Sequence, residues 1–370
     1  MATPVSNRSG AAFGGPPIRS VHFVYGGARG FSGADFHGPG VSGTEAALVV
    51  LAEAMARRGM AVTVATPISE RVVVNGVGYA PLAGPVPPPD LTICVKRWIE
   101  AAEAVPARAR LLWITDVHVP EPAALRSALR RVYGVLLMSP YQRAQMLRRV
   151  PELGAVPHAI VGIAVNVDDY DDVPEARDNL LLFCSVPDRG LVYLARWMPR
   201  IFRAVPSARL VVASDYSLWG GAPARSSYVE FLGRDPRINY VGHVSRQELV
   251  RWQRQAKVMA YPCTFPEGFC VSAAECMAAG AVPVTSGDFA LTTTVADGGV
   301  LVPGHPGIRW RRPLYRRGFV QAVVRMLKDD SEWRIRSEAA RRRARTNFAP
   351  DTVLDAVLAF AANRMTAGTA

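Results

Sequence analysis

Apolar runs of strand length come in two series in this chain, and each series alternates with helical stretches. The first opens with "VHFVYG" (21–26), a Gly-rich loop (26–43) and the helical run "TEAALVVLAEAMARRG" (44–59). Leu48, Leu51, Ala52 and Met55 fall at i, i+3, i+4 and i+7, so they share one face. Thr44 or Ser42 can cap the start and Gly59 the end. "MAVTVAT" (60–66) is the next strand, which gives a strand–loop–helix–strand unit of the kind that builds parallel sheets. Runs at 90–98, 110–115 and 132–139 extend the series, while 67–90 is short and Pro-rich and predicts a small wall.

The pattern restarts after a polar stretch rich in turn formers and acids, 156–178. "LLLFCS" (180–185), "ARLVVAS" (208–214), "INYVG" (238–242) and "KVMAYP" (257–262) are strand-like, and helical segments lie between them. Ser245 and Glu248 have capping-box spacing at the head of "SRQELVRWQRQA". The expected organisation is a disordered leader over 1–19, a Rossmann-like domain over 20–165, a second over 166–348, and a C-terminal helix over 349–370 that returns to the first domain. Ligands of such sheets sit at the carboxyl ends of the strands, here in a cleft between the two halves.

The bulk numbers exclude several classes. Cys94, Cys184, Cys263, Cys270 and Cys276 form no CxxC pair and no ligand pattern with His, which points to a reduced, cytoplasmic protein. No apolar segment is long enough for a membrane span, and the N-terminus has no signal-peptide apolar region. The net charge is +12, and since there are only three lysines (Lys96, Lys257, Lys328) almost all the positive charge is arginine. The densest basic runs, 309–319 and 334–348, lack a nucleic-acid motif, so nucleic acid is not an expected partner. Basic segments such as "RSALRRVYG" and "QRAQMLRRV" suit either solvent or peripheral contact with an anionic lipid surface.

The stretch with chemistry is "FPEGFCVSAAECMAAGAVPV" (265–284), which sets Glu267 and Glu275 eight residues apart. A helix starting near Cys270 or Val271 points its unpaired N–H groups and partial positive charge at the preceding loop, which makes an anion site. A phosphate there lies against the amides of Gly268, Phe269, Cys270 and Val271, and Gly268 permits close backbone approach. Carboxylates on either side accept hydrogen bonds from sugar hydroxyls, Glu275 from one sugar and Glu267 from a second. Ribose, diphosphate and hexose in that order describe a nucleotide sugar.

The same residues resemble the motif of the retaining GT-B glycosyltransferases of the E-x7-E type, related to bacterial mannosyltransferases and sucrose synthase. Their pattern is roughly P-E-G-F-G-x-x-x-x-E-A-M-A-x-G-x-P-V. The resemblance implies an α/β fold of GT-B type, with two Rossmann-like domains facing an interdomain cleft. It implies transfer of a hexosyl group from a nucleoside-diphosphate sugar, without a metal or other cofactor, to a small molecule, a glycan or a lipid-linked sugar. "SVPDRGL" (185–191) resembles the turn whose cation grips the diphosphate, which gives that role to Arg189, while Ser185 stands where a second Arg is common. "GPGVSGTEAAL" (38–48) resembles the Gly-Gly-x-Glu loop that faces the donor phosphates, with Gly43 in the second glycine place and Ser42 in the first. Backbone at His243 and Val244 falls where the family meets the nucleobase. In "LLWITDVHVPEP" (111–122), either His118 is the family's sugar-facing histidine or Asp116 belongs to a His-Asp pair whose His is Thr115. Thr293 stands where relatives often carry Glu. Asp169-Tyr170-Asp171 has D-x-D spacing, but its place between the halves predicts a solvated linker, not a metal site. Two other classes fit less well. A dinucleotide or methyl-donor enzyme needs a tight G-x-G-x-x-G turn after the first strand. A non-catalytic sugar-nucleotide-binding or membrane-surface GT-B protein would tolerate the departures at Ser42, Ser185 and Thr293.

Overall fold

A computed structural model describes residues 17–96, 107–119, 121–219, 233 and 235–367. Residues 1–16 of the expected leader, 97 and 98 of the run 90–98, and 368–370 of the C-terminal segment lie outside the described residues.

Among the described residues two sheets account for the strands. The first contains β1 (Ser20–Tyr25), β2 (Ala61–Thr66), β3 (Val72–Val74), β4 (Val77–Pro81), β5 (Leu91–Val95), β6 (Ala109–Trp113), β7 (Gly134–Leu137) and β8 (His158–Ile160). Their order is β3-β4-β2-β1-β5-β6-β7-β8, parallel except for the β3–β4 pair. Helices α1 (Gly33–His37), α2 (Gly43–Arg57), α3 (Pro122–Leu129) and α4 (Pro140–Arg149) belong to this half. The second sheet is β11-β10-β9-β12-β13-β14 and all its pairs are parallel. Its strands are β9 (Leu180–Phe183), β10 (Arg209–Val212), β11 (Ile238–Tyr240), β12 (Val258–Tyr261), β13 (Val282–Ser286) and β14 (Val300–Val302). The helices of this half are α5 (Leu191–Ala204), α6 (Arg246–Gln255), α7 (Val271–Ala278), α8 (Leu291–Thr294), α9 (Arg312–Lys328) and α10 (Asp330–Phe348), and α11 (Pro350–Ala367) follows. Strands β5, β7, β9, β12 and β13 are buried along their whole length, as parallel strands covered on both faces require.

In each sheet the strand order reverses beside the first strand, between β1 and β5 and between β9 and β12. Such reversals open a crevice at the carboxyl ends, where adjacent loops leave in opposite directions. Helix α11 packs back on α2, β6 and β7. Arg58 holds Asp351 there at 2.7 Å, and a Cβ on Gly134 would sit 2.6 Å from the Phe360 ring.

One expectation fails and one segment holds more than its sequence predicts. Within 67–90, β3 and β4 form a hairpin and β4 adds a strand beside β2. Asn75 and Gly76, at φ 48° and 79°, make its turn, the geometry that Asn-Gly favours. The failed expectation is the acidic stretch 166–173, which is not a solvated linker. Val167–Tyr170 is a 3-10 turn whose Tyr170 ring is fully buried, with Oη donating to Gln253 Oε1 at 2.5 Å. Asp169 accepts from Arg246 at 2.8 Å, and Asp171 accepts from Arg345. Among the described residues no helix is long and apolar enough to cross a membrane.

Candidate functional site

The carboxyl ends of the two sheets enclose a cavity of about 290 Å³. Gly43, Asp116, His118, Ser185, Arg189, Val244, Glu267, Gly268, Phe269, Cys270, Val271 and Glu275 all line it. Thr293 does not: it sits on α8 with Oγ1 donating to the Ala290 carbonyl at 3.0 Å.

The loop after β12 leads straight into α7. Gly190, at φ 132°, lets the turn after β9 lie against the Pro262 carbonyl, where a Cβ would collide. Gly268 makes room for the opposite domain rather than for a ligand alone. A Cβ there would lie 2.7 Å from Met138 Cε and 3.0 Å from Val117 Cγ1, and its carbonyl accepts from Ser139 Oγ at 2.7 Å. Cys270 is the N-cap of α7 and adopts φ 82°, ψ 79°, in the left-handed half of backbone space. A non-glycine residue seldom takes that conformation. Gly43, at the start of α2, faces Val271 across the cleft.

Glu267 is buried, with 5% of its surface exposed. Arg189 Nη1 donates to its Oε1 at 3.1 Å and its Oε2 at 3.3 Å, and Tyr261 Oη donates to Oε1 at 2.6 Å. Ser185 Oγ, in the place of a second cation, donates to Tyr261 Oη at 3.2 Å. The Arg189 guanidinium lies 4.1 Å from the centre of the Phe265 ring. Burial would lower the Arg189 pKa, but the neighbouring Glu267 carboxylate outweighs it and holds it above its ordinary value. Burial, then the same carboxylate, pushes the Tyr261 phenol well up, so Tyr261 stays a neutral donor.

Glu275 is equally buried and equally paired. Its Oε1 accepts from Arg246 Nη1 at 2.5 Å and its Oε2 from Gln253 Nε2 at 3.1 Å. Arg246 Nη2 reaches Asp169 at 2.8 Å and Tyr170 Oη at 3.3 Å. The backbone N–H of Arg246 donates to the Gly38 carbonyl at 3.0 Å, and its guanidinium lies 5.1 Å from the Phe36 ring centre. One residue therefore ties Glu275 to the loop of the first domain. Burial opposes the Arg246 charge, yet Glu275 outweighs it and its pKa is raised. Sequence reasoning missed Arg246. The capping box at Ser245 and Glu248 was the available signal, because it fixes Arg246 as the first helical residue, at the end nearest the cleft.

Asp215 was also missed. It follows β10 and its Oδ2 accepts from the His243 backbone N–H at 3.1 Å, which fixes the loop that carries Val244. Burial would raise its pKa, but the Ser217 hydroxyl and amide and the His243 amide pull it below the usual value.

The first domain adds a second kind of wall. Glu45 accepts from Tyr25 Oη and Ser42 Oγ, and Lys96 Nζ stands 3.4 Å from its Oε1. Lys96 and Ser42 line the cavity, so another cation supplements Arg189. Asp116 and His118 are exposed at its edge, and His118 Nδ1 lies 3.5 Å from Arg149 Nη1. A buried structural role for His118 does not hold. Both residues face the same cavity, so the geometry leaves the two alignments of 111–122 open.

Residues 177–329 match the family described as "Glycosyl transferases group 1". A D-inositol 3-phosphate glycosyltransferase of Nocardioides sp. (strain ATCC BAA-499 / JS614) is 38% identical over 86 residues, 23% of this chain. That alignment spans only 19% of the relative's length. Sucrose-phosphate synthase from Thermosynechococcus elongatus superposes with a TM-score of 0.70 at 17% identity, covering 95% of this chain and 100% of that one. Anabaena Alr3699/HepE, in complex with UDP and glucose, superposes with a TM-score of 0.66 at 14% identity, covering 95% and 100%. The fold is GT-B, with two parallel-sheet domains as expected.

Proposed function

We propose that the chain is a glycosyltransferase that moves a hexosyl group from a nucleoside-diphosphate sugar to an acceptor hydroxyl, with retention at the anomeric carbon. One observation carries the proposal: two buried, cation-paired carboxylates flank a helix N-terminus on a single interdomain cleft. The diphosphate sits at the head of α7, where unpaired amides and the helix dipole favour an anion. Arg189, helped by Lys96, stabilises the charge that builds on the departing group, the electrostatic effect that usually dominates. As Arg189 turns toward phosphate, Glu267 is released to accept hydrogen bonds from the hexose. Glu275 keeps lone pairs for the ribose hydroxyls, since each carboxylate oxygen accepts more than one bond. Asp116 or His118 meets the hexose from the opposite wall. The acceptor, a small molecule, a glycan or a lipid-linked sugar, enters from the first domain.

The UDP and glucose in the HepE complex make uridine donors the first to try. Wild type and Glu267→Ala are incubated with UDP-, GDP- and dTDP-sugars, and released nucleotide is measured. Turnover with at least one donor, lost in the variant, is the expected result. A thermal shift against the same panel, with NAD and S-adenosylmethionine as rivals, separates the alternatives. A shift without turnover favours a non-catalytic binder, and a shift only with a rival would falsify the assignment.

A further inference from the structure

The segment 304–317 combines exposed apolar surface with unopposed positive charge. Trp310 and Leu314 are 75% and 76% exposed, and Ile308 is exposed beside them. The helix they lead into is anchored by its other face. Tyr315 and Phe319 are buried against Trp197, and Tyr315 Oη lies 2.9 Å from Ser286 Oγ. Arg312 is tied inward, its Nε donating to the Pro306 carbonyl at 2.8 Å. The outward side chains are therefore not waiting to be packed by their own domain. Between Asp297 and Asp329 the sequence has six arginines and one lysine, and no acidic residue. Arg309, Arg311 and Arg317 are exposed, and none of them is in an ion pair among the described residues.

We infer that this surface adsorbs to an anionic lipid bilayer. Tryptophan and leucine insert at the headgroup boundary, while arginines beside them meet lipid phosphates. A charge-neutral apolar partner would leave the arginines unmatched. The Arg311 guanidinium already lies 4.3 Å from the Trp310 ring centre, so the cation and the ring would enter the interface together. The patch adjoins the cleft. His305 takes the Gly307 N–H on Nδ1 at 3.0 Å and donates from Nε2 to the Thr264 carbonyl at 3.2 Å, one residue from Phe265. This inference does not depend on the reaction proposed above, and it uses a different surface from the basic helices α3 and α4.

Co-sedimentation with vesicles tests it. One set is phosphatidylcholine alone, and the other contains about one third phosphatidylglycerol, enough for a negative surface potential. The full chain should pellet with the anionic vesicles at low salt and be released at high salt, where surface charges are screened. Trp310→Ser combined with Leu314→Ser should weaken binding at least tenfold (roughly 1.4 kcal/mol). Arg130→Gln with Arg148→Gln, on the other basic helices, should change it less than twofold. Brominated lipid should quench wild-type fluorescence more than that of Trp310→Phe. No binding to anionic vesicles, an unchanged Trp310/Leu314 variant, or a loss confined to the Arg130/Arg148 variant overturns the inference, and points instead to a protein partner or to the other face.

Discussion

Strands β1 and β9 occupy the same place in their two sheets, yet the walls built beyond them handle charge differently. On the second wall, Arg189, Glu267, Arg246 and Glu275 are paired and largely removed from water. On the first, among the described residues, the Glu45–Lys96 pair is the comparable one, and Asp116 and His118 face solvent. Pairing holds most of the second wall in place before any ligand arrives, so that on the proposed function Arg189 alone has to turn and the other dipoles are already oriented when charge develops. The first wall, with its solvated groups, can adapt to an acceptor. On the proposed function, the donor side is thus specified by the fold, and the acceptor side by what enters.

The largest test of this contrast is Arg246→Ala. It leaves the buried Glu275 carboxylate with Gln253 as its neutral donor and no cation, and removing one partner of a buried pair costs about 3–5 kcal/mol. Urea unfolding should report that loss. Arg189→Ala, which removes a guanidinium that is 26% rather than 9% exposed and serves one carboxylate rather than two, should cost clearly less stability while removing most turnover. Equal stability losses would mean that the second wall is not graded as described.

Next comes Glu267→Gln, which keeps the size and the Tyr261 bond but removes the charge. Losing one group that acts on the reacting sugar lowers turnover by about 10²-fold, close to 2.7 kcal/mol. Asp116→Asn on the first wall, where a solvated carboxylate meets the hexose, should instead raise the donor KM and lower kcat less than about tenfold. If Asp116→Asn proved the more damaging to kcat, the division of labour between the walls would be reversed.

The sequence disclosed the second wall far better than the first, because its main parts are contiguous. Residues 265–284 hold a strand exit, a loop, a helix start and both carboxylates, and 183–201 hold the facing turn. Alternating apolar runs were sufficient for two parallel sheets. What stayed hidden depends on long-range burial. Arg246 meets Glu275 across 29 residues and Asp169 across 77, and an arginine on a basic helix reads as solvent-facing until both partners are known. For the same reason Asp169 read as linker: its partner is remote. The β3–β4 hairpin was hidden for a local reason, since three- and five-residue strands give too few alternations, although Asn75-Gly76 marked the turn.

Acid should separate the two halves. His22 lies in β1, buried, with Nδ1 unpartnered among the described residues, and burial lowers its pKa from 6.5 to about 4. The unfolded chain then binds a proton that the folded chain refuses, so stability is full above pH 6.5 and falls as pH drops toward 4. Linkage gives a loss of about 2 kcal/mol at pH 5. The matching strand β9 is Leu-Leu-Leu-Phe and carries no such group. Unfolding of the first domain, followed by hydrogen exchange in β1 and β9, should therefore respond to pH before the second. His22→Gln should flatten that response.

The smallest effect concerns Cys270, the cap of the helix that the donor side depends on. Left-handed backbone costs a residue with a Cβ about 1–2 kcal/mol relative to glycine. Glycine returns roughly 0.5–1 kcal/mol of that through its larger entropy loss on folding. Loss of the buried thiol offsets about that much, so Cys270→Gly should stay within about 0.5 kcal/mol of wild type, while Cys270→Ala, which keeps the strain and loses the sulfur, should fall below it. Turnover should be unchanged in Cys270→Gly, because the amides at the head of α7 keep their places. A glycine variant that was stable but slow would mean that the strained cysteine backbone itself holds those amides in position, and that the second wall is less rigid than its ion pairs suggest.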